Sequence, residues 1–462
     1  MVSNQKKEMT KIWGAFMLFQ ALITKSFRPS TRTISRSHLL QMSSSSSSTS
    51  TSTTQPSKRN IVVIGGGIQG ASVAYHLSQH PNFSNPSSTI TILESKAIAA
   101  AASGKGGGFM ARSWGDGGPT QTLHHLAFDL YPTLAATLKC ETYRTLPVLS
   151  VAPGSNNKAL ARFGKDNEGL LPDWLDGNTG RIGVMGYGED TAQVTPIEFT
   201  TKLAEASGAT VVLGSAVGVN CDGDTVTGVR YQPRGDDTDT TEGQVLECTD
   251  VILSAGPWSC IAEEWFEGTT FPMEGVKSTS IVWKNPDPSS IPTPRALFCG
   301  EDDRFQTHLE VYPRPDGSIY LCGIGGSDYI PTEELKRGAY REVCEAKPER
   351  VEAASLAFKE MSVVYREGGE LEKSQACMRP CPPDAMPYMG KIPGYEGAYI
   401  NAGHNCWGIA WAPACGKAMA ELVLDGHSSS VDLSPFDPAR FHRRAKGGRG
   451  RKKGGDSVGE QW

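Results

Sequence analysis

The chain has 462 residues, with a hydrophobic share of 38%, a charged share of 21% and a formal net charge of −5. That length allows two compact units or one domain with a large insertion, and the negative balance argues against a general nucleic-acid binder, whose surface must neutralise phosphates. Eleven cysteines lie scattered without a C-x-x-C pair or a histidine at zinc-finger spacing. Neither a disulfide scaffold nor a structural metal is therefore expected, and reduced thiols are the default.

The first 58 residues differ from the rest. No acidic residue occurs between Glu8 and Glu94, while Lys11, Lys25, Arg28, Arg32 and Arg36 are basic and serine is abundant. Such a leader reads as a transit peptide, which would send the protein to a mitochondrion or plastid. The alternative is translation from Met42 with a disordered Ser/Thr tail and a cytoplasmic product. The apolar run Ile12 to Phe19 is short of the ~20 residues a bilayer span needs. No other stretch qualifies, so no integral membrane span is expected.

Folded sequence begins at Arg59. Ile61-Val62-Val63-Ile64 is a short unbroken apolar run, as in a parallel strand covered on both faces. The turn Gly65-Gly66-Gly67-Ile68-Gln69-Gly70 follows, then a helix over Ala71 to Leu77 and a strand over Thr89 to Leu93 that ends on Glu94. That order is a βαβ unit. Thr210 to Val219 reads as a strand, and Thr225 to Tyr231 with Gly243 to Glu247 as a hairpin around a polar loop. Val251-Ile252-Leu253 is another buried strand. Between about Arg295 and Cys322 the pattern is antiparallel, with a hairpin turn at Asp316-Gly317. Thr332 to Met361 reads as mostly helical, with Thr332 as its N-cap. Ala398 to Asn401 is the last strand and Pro413 to Leu424 the last helix. From Ser428 the chain reads as a polar tail, basic over Arg443 to Lys453.

The spacing Gly65-x-Gly67-x-x-Gly70 is weak alone but gains weight from its setting between a strand and a helix, ahead of an acidic strand end. Gly65 permits the tight turn, Gly67 the approach of a pyrophosphate, and Gly70 close packing of helix on strand. Gly66, Ile68 and Gln69 complete the turn, and the helix N-terminus offers N–H groups and partial positive charge to the phosphates. Glu94 would accept the ribose hydroxyls. The bland alternative is a glycine-rich turn with an incidental carboxylate.

The fingerprint does not choose between FAD and NAD, but three further stretches favour FAD. Ser103-Gly104-Lys105, with Gly107 and Gly108, is a small, donor-rich tract that could follow an extended pyrophosphate to the flavin. Ala255, Gly256 and Trp258 end a strand where a second backbone could lie against the cofactor. Gly403, His404, Gly408 and Ile409 precede the last helix, whose N-terminus would favour an anionic reduced flavin by up to ~2 kcal/mol, or roughly 40 mV for a two-electron couple. Only one such fingerprint sits in a βαβ setting: Gly323-Ile324-Gly325-Gly326 lacks the third glycine and the acidic strand end. A nicotinamide electron partner is thereby disfavoured.

Together these stretches resemble the D-amino-acid oxidase-like (DAO) superfamily of FAD-dependent oxidoreductases, in the group with glycine and sarcosine oxidases, and within it a subgroup of fungi, plants and algae. The likeness rests on Ala102 to Phe109 with Trp114-Gly115-Asp116-Gly117, and on Gly403 to Ile409 with Ala412-Pro413. It covers roughly residues 59 to 427 and is loose in the middle. The resemblance implies a bilobal α/β (α+β) fold, a glutathione-reductase-like Rossmann FAD domain with an interleaved antiparallel-sheet substrate domain. The FAD domain would comprise 59–135, 190–260 and 376–427, and the substrate domain 136–189 and 261–375. A targeting or disordered leader, 1–58, and a disordered basic tail, 428–462, would flank them.

The resemblance also implies roles. It sets the Val217 backbone against the adenine and Arg379, in Cys377-Met378-Arg379-Pro380, on a substrate carboxylate, a task that suits a guanidinium with two parallel hydrogen bonds. Cys377 falls where a cysteine of sarcosine-oxidase relatives bonds to the flavin, so covalent and dissociable FAD both stay open. The glycine oxidases carry a second arginine where this chain has Cys406.

The expected function is an FAD-dependent oxidoreductase, of amine or amino-acid oxidase or dehydrogenase type, that moves hydride from a small amine or amino acid to flavin N5. Oxygen or an electron-carrier flavoprotein would reoxidise it. Arg379 and His404 are the candidate catalytic residues, with a structural, backbone-bonded His404 as the alternative. Lys105 and Lys277 are candidates for oxygen activation, Lys277 reading better as a solvated surface lysine. Two rivals stand beside this reading. One is a 2-hydroxy-acid dehydrogenase, because Arg379 would grip either carboxylate; the other is a non-catalytic FAD-binding assembly or trafficking factor.

Overall fold

The computed structural model of the protein describes residues 57–155, 157–235 and 243–442. The targeting leader, the polar hairpin loop at 236–242 and the basic stretch Arg443 to Lys453 lie outside the described residues.

The first sheet grows from the βαβ unit read in the sequence. In chain order its parts are β1 (Asn60–Ile64), α1 (Ile68–Ser78), β2 (Thr89–Glu94), α2 (Gln121–Thr137), α3 (Pro196–Ala206), β3 (Thr210–Asp222), β4 (Thr225–Pro233), β5 (Gln244–Glu247), β6 (Asp250–Leu253), β7 (Tyr388–Lys391), β8 (Ala398–Ala402) and α4 (Gly408–Asp425). The strands lie in the order β5-β4-β3-β2-β1-β6-β8-β7. The centre, β3-β2-β1-β6-β8, is parallel, and the β4–β5 hairpin and β7 extend it antiparallel. The apolar run of β1 divides by alternation: Ile61 and Val63 pack into the helical layer, while Val62 and Ile64 pack into the core on the opposite face.

Between β1 and its neighbours, α1 and α4 make the central helix pair. Gly416 of α4 comes so close to α1 that a Cβ there would stand 2.2 Å from Ser72 Oγ. The Ser72 hydroxyl in turn donates to the Ala412 carbonyl at 2.7 Å. Gly426, at φ +81, closes α4 in the left-handed conformation and donates its N–H to Leu422. Among the described residues no helix is long and apolar enough to cross a membrane.

A second sheet runs in the order 328–330, 274–284, 319–322, 310–313, 296–299, 148–151 and 182–186, and strand Glu370–Cys381 pairs antiparallel along 274–284. One face carries Leu297, Val311, Leu321 and Ile281 into a core shared with helix Pro348–Met361. The expected hairpin at Asp316-Gly317 is present, with Gly317 at φ +88 and the Arg314 N–H donating to the Ser318 carbonyl at 2.7 Å.

Four expectations are corrected. The helix read over Thr332 to Met361 is two helices, Thr332–Lys336 and Pro348–Met361. The chain breaks between them at Gly338 and Tyr340, both at positive φ, and the Thr332 hydroxyl bonds to Met273 rather than capping. The last helix starts at Gly408, with Pro413 inside it. The boundary drawn before residue 376 cuts strand Glu370–Cys381, so Cys377 and Arg379 belong to the second sheet. Finally, 428–442 packs against the body: Glu421 accepts from Ser429 and Ser430 N–H, Phe436 is buried, and Arg440 pairs with Asp384 at 2.8 Å.

Candidate active site

The glycine turn needs its glycines for separate reasons. Gly65 stands at φ +109, and a Cβ there would meet the Ser254 carbonyl oxygen at 2.5 Å. A Cβ on Gly70 would stand 2.0 Å from the Gly65 carbonyl oxygen, so α1 can dock on the turn only without one. Gly67 faces Ser103 Oγ alone, at 3.0 Å. That hydroxyl accepts the Ile68 N–H at 2.8 Å, at the N-terminus of α1. Glu94, at the end of β2, accepts the Gly66 N–H through Oε2 at 2.7 Å and the Lys96 N–H through Oε1 at 2.8 Å. It braces the turn; Oε1 also accepts the Ser95 hydroxyl at 3.3 Å, so Oε2 is the oxygen that keeps a lone pair for a further hydroxyl. Gln69 bridges: its Nε2 donates to the Gly408 carbonyl at 2.7 Å, and its Oε1 accepts from Asn401 at 3.1 Å.

The tract after Ser103 is pressed between the two sheets. A Cβ on Gly106 would meet Ile409 Cδ1 at 2.6 Å, one on Gly107 the Tyr312 ring at 2.7 Å, and one on Gly108 the Val194 carbonyl at 1.8 Å. Gly104 likewise has no room, with the Ala99 carbonyl 2.2 Å from its ideal Cβ. Lys105 Nζ donates to the Ala376 carbonyl at 2.9 Å, and the Lys105 carbonyl accepts from Gln375 at 3.1 Å. The lysine is thus committed to the strand that carries Cys377 and Arg379. Lys277 is not a solvated surface lysine: its side chain is only 12% exposed, lies 3.6 Å from Asp328, and sits over the Tyr340 ring.

Across the turn, Ser254 N–H joins the Ile64 carbonyl at 2.8 Å and brings Ala255 and Gly256 alongside Gly65. Gly256, at φ +57, faces open space. Trp258 turns away, with its ring N–H on the Ala339 carbonyl at 3.0 Å. Val217 is the unpaired residue of a bulge between Ala216 and Gly218, and is exposed.

At the junction of β8 and α4, Gly403 stands at φ +85 against Pro382. His404 is buried, and burial pushes its imidazole down to about 3, so it is neutral at physiological pH. Its Nε2, Asn401 Oδ1, Asn405 Nδ2 and Ser254 Oγ are buried without a hydrogen-bond partner among the described residues. An orphaned buried polar group costs about 1–3 kcal/mol. Orphans clustered on the two segments that flank a Cβ-free turn are what a bound, polar, extended dinucleotide would satisfy. The residues fit FAD.

The second sheet is antiparallel except where 296–299 runs parallel to 148–151, and its other face is the chemical surprise. Register sets Phe298 opposite Glu310 and Glu310 opposite Cys322, with Tyr312 opposite Tyr320. Through strand 274–284 the same face continues to Ser278 opposite Cys377 and Ser280 opposite Gln375, with Arg379 two residues beyond Cys377. Arg379, Cys377 and Glu310 therefore share one face that looks toward the glycine tract. Burial pulls the Arg379 guanidinium down, but Cys406, Cys381, Cys377 and Glu310 offset it and hold the group above its ordinary value. Burial pushes the Cys377 thiol up to about 11, and the Cys406 thiol is hydrogen-bonded to Arg379. Glu310 Oε2 accepts the Tyr312 hydroxyl at 2.5 Å and the Cys322 thiol at 3.4 Å.

An aromatic wall completes the cleft. Phe109 stacks on Tyr312 at 5.5 Å, Trp114 meets Phe109 and Phe298 edge-on or tilted at 5.3 and 5.1 Å, and Trp407 meets Trp114 at 6.2 Å. Cys406, beside Trp407, is exposed to this space although Asn405 and His404 are buried. Sequence reading missed Glu310, Tyr312 and Tyr320. The signal was present: once Asp316-Gly317 is taken as a hairpin turn, alternation sets Glu310 and Tyr312 on one face with Tyr320 and Cys322.

A parallel Rossmann-type sheet whose glycine turn faces an arginine-bearing antiparallel sheet defines a two-sheet flavin-dependent oxidoreductase. Residues 60–422 match the family described as DAO, FAD dependent oxidoreductase, and the chain belongs to that family. It is 27% identical over 401 residues to a Schizosaccharomyces pombe protein whose name assigns it provisionally as an oxidoreductase, covering 83% of this chain and 98% of that one. It is 24% identical over 400 residues to a glycine oxidase of Pseudomonas putida, covering 82% and 98%. Its fold is similar to that of an L-amino acid deaminase from Proteus vulgaris, with a TM-score of 0.64 at 17% identity over 84% of this chain and 98% of that one. The bilobal α/β expectation holds, and the chain is an FAD-dependent oxidoreductase.

Proposed function

We propose that this enzyme oxidises a small amine or amino acid, taking hydride from the carbon that bears the nitrogen to flavin N5. The observation that carries the reading is Arg379, a charged guanidinium on the face of the second sheet that looks toward the glycine tract. A guanidinium there grips a carboxylate with two parallel hydrogen bonds and so fixes which carbon meets the cofactor. Bound FAD supplies the two-electron acceptor. The aromatic wall of Phe109, Trp114, Phe298 and Trp407 excludes water from the amine end. Buried, neutral His404 is kept from charging and acts, in this reading, as a polar contact to the bound nucleotide rather than as an acid. The electrons then pass to oxygen or to an electron-carrier flavoprotein. Two named similarities support the amino-acid class, the glycine oxidase and the L-amino acid deaminase.

The test is anaerobic mixing of the FAD-loaded protein with amino acids, secondary amines and 2-hydroxy acids while the visible flavin band is followed. Bleaching by an amine, with ammonia or a smaller amine released in air, is the expected result. Arg379→Gln should then raise KM roughly 100-fold for a carboxylated substrate. Bleaching by 2-hydroxy acids alone would overturn the reading. The basic, acid-poor leader supports import into a mitochondrion or plastid, which a fusion of residues 1–58 to a fluorescent protein would test.

A further inference from the structure

We propose that Glu310 determines the specificity of this cleft: its carboxylate, framed by aromatic rings, receives the positively charged amine end of a substrate whose carboxylate is held by Arg379. The inference rests on the reading of Arg379 given above and adds the second pole.

Glu310 is placed for that task. Its Oε2 is held by the Tyr312 hydroxyl and the Cys322 thiol. Among the described residues no hydrogen bond reaches Oε1 and no cation lies within ion-pair distance of Glu310. The carboxylate is therefore oriented by neutral donors, and Arg379 acts on it only at a distance, without a direct ion pair. The contacts around it close into a ring: Tyr312 stacks on Phe109, Trp114 packs on Phe109 and Phe298, Trp407 meets Trp114, and Cys406, next to Trp407, bonds to Arg379. Rings with a carboxylate among them form a surface that attracts an organic cation through both the quadrupole and the charge.

Register keeps the two poles apart. Glu310 and Arg379 stand on strands separated by 319–322 and 274–284, about 14 Å across the sheet, and Glu310 levels with Ser280 whereas Arg379 pairs with Val276, about 13 Å further along it. The long arginine side chain spans part of that distance, leaving room for a small zwitterion rather than a direct ion pair. A 2-hydroxy acid offers Glu310 a neutral hydroxyl in place of a cation, so the residue also favours the amine over the other substrate class that Arg379 alone would admit.

The experiment uses two nearly isosteric ligands that differ in one charge, trimethylglycine and 3,3-dimethylbutanoate. Each is titrated into the FAD-loaded full-length protein by calorimetry, with the shift of the flavin band as a second readout. The wild-type protein should bind trimethylglycine roughly tenfold more tightly. Glu310→Gln, which can still accept from Tyr312 and Cys322, should erase the preference while 3,3-dimethylbutanoate binding and the thermal midpoint stay unchanged. Equal binding of both ligands by the wild type, or a preference that survives in Glu310→Gln, overturns the proposal and leaves the Arg379 reading standing. Binding of neither ligand overturns both.

Discussion

Gln69, in the glycine turn, donates its side-chain amide to the carbonyl of Gly408, 339 residues later, at 2.7 Å. Asn401 donates to the other end of the same amide at 3.1 Å. One buried side chain thus ties the start of α1 to the start of α4 and to β8, the three elements that converge on the flavin site. Gln69→Ala removes one of the partners of the Gly408 carbonyl and the side-chain acceptor of Asn401 at once. The expected cost is about 1–3 kcal/mol, seen as a lower unfolding midpoint. Because the loss falls at the cofactor cradle, added FAD should restore less of the midpoint in the variant than in the wild type. A Gln69→Ala protein with unchanged stability and FAD affinity would refute this bridging role.

A second weak point lies deeper in the same helix pair. Gly416 faces Ser72, with Oγ 2.2 Å and the backbone carbonyl carbon 2.7 Å from an ideal Cβ. The obstacle is partly backbone, so α1 and α4 would have to separate to admit even a methyl group. Gly416→Ala should cost about 1–3 kcal/mol by overpacking, and Gly416→Val more. Ser72→Ala combined with Gly416→Ala should recover part of that loss, because it removes the closest atom. Thermal melts of the two single variants and the double variant read the coupling directly.

How much of this was legible depends on range. The βαβ unit could be read because its signals are local: an apolar run at Ile61 to Ile64, glycines at fixed offsets, and Glu94 at a strand end. The hairpin at Asp316-Gly317 was legible for the same reason. Strand Glu370–Cys381 was cut in two because Cys377-Met378-Arg379-Pro380 reads as a motif, while the pairing that makes it a strand runs to 274–284, about a hundred residues away in sequence. The break in the helix after Lys336 was hidden because Tyr340 adopts positive φ without being glycine. Gln69 was expected to meet the cofactor, and only tertiary packing shows that its amide is spent on Gly408 and Asn401. Glu310 was missed because its neighbours on the cleft face come from several strands. Its role exists only in the register.

Cys377 bears on whether the flavin is covalent. Burial raises its thiol, against the pull of Arg379 and Lys105, which disfavours the thiolate, the form that attacks. FAD should therefore be dissociable. Acid precipitation of the yellow protein should leave colour in the supernatant, and Cys377→Ala should retain FAD as the wild type does. A yellow pellet that turns colourless in Cys377→Ala would show the opposite.

Stability should fall with acid in two stages. His404 is lowered by burial from 6.5 to about 3, and His76 from 6.5 to about 4 by burial and then Lys417. Below pH 6.5 the unfolded chain takes up protons that the folded chain refuses, so stability declines from there toward pH 3. Glu421 behaves as a depressed carboxylate. Burial alone would raise it, but hydrogen bonds from Lys417 and Ser430 bring it from 4.5 to about 2. Glu198 falls from 4.5 to about 2 through Thr142, Glu141 and Lys202, again against burial. Their contribution is complete above pH 4.5 and vanishes as pH drops through 2. Glu421→Gln removes one of these groups and should flatten the curve below pH 4.5; because Glu421 also favours charged His76, the decline between 6.5 and 4.5 should persist and steepen slightly. Urea midpoints measured across that range test both halves; an unchanged slope below pH 4.5 in Glu421→Gln would show that the carboxylate does not hold the turn at Ser428 to Ser430 in place.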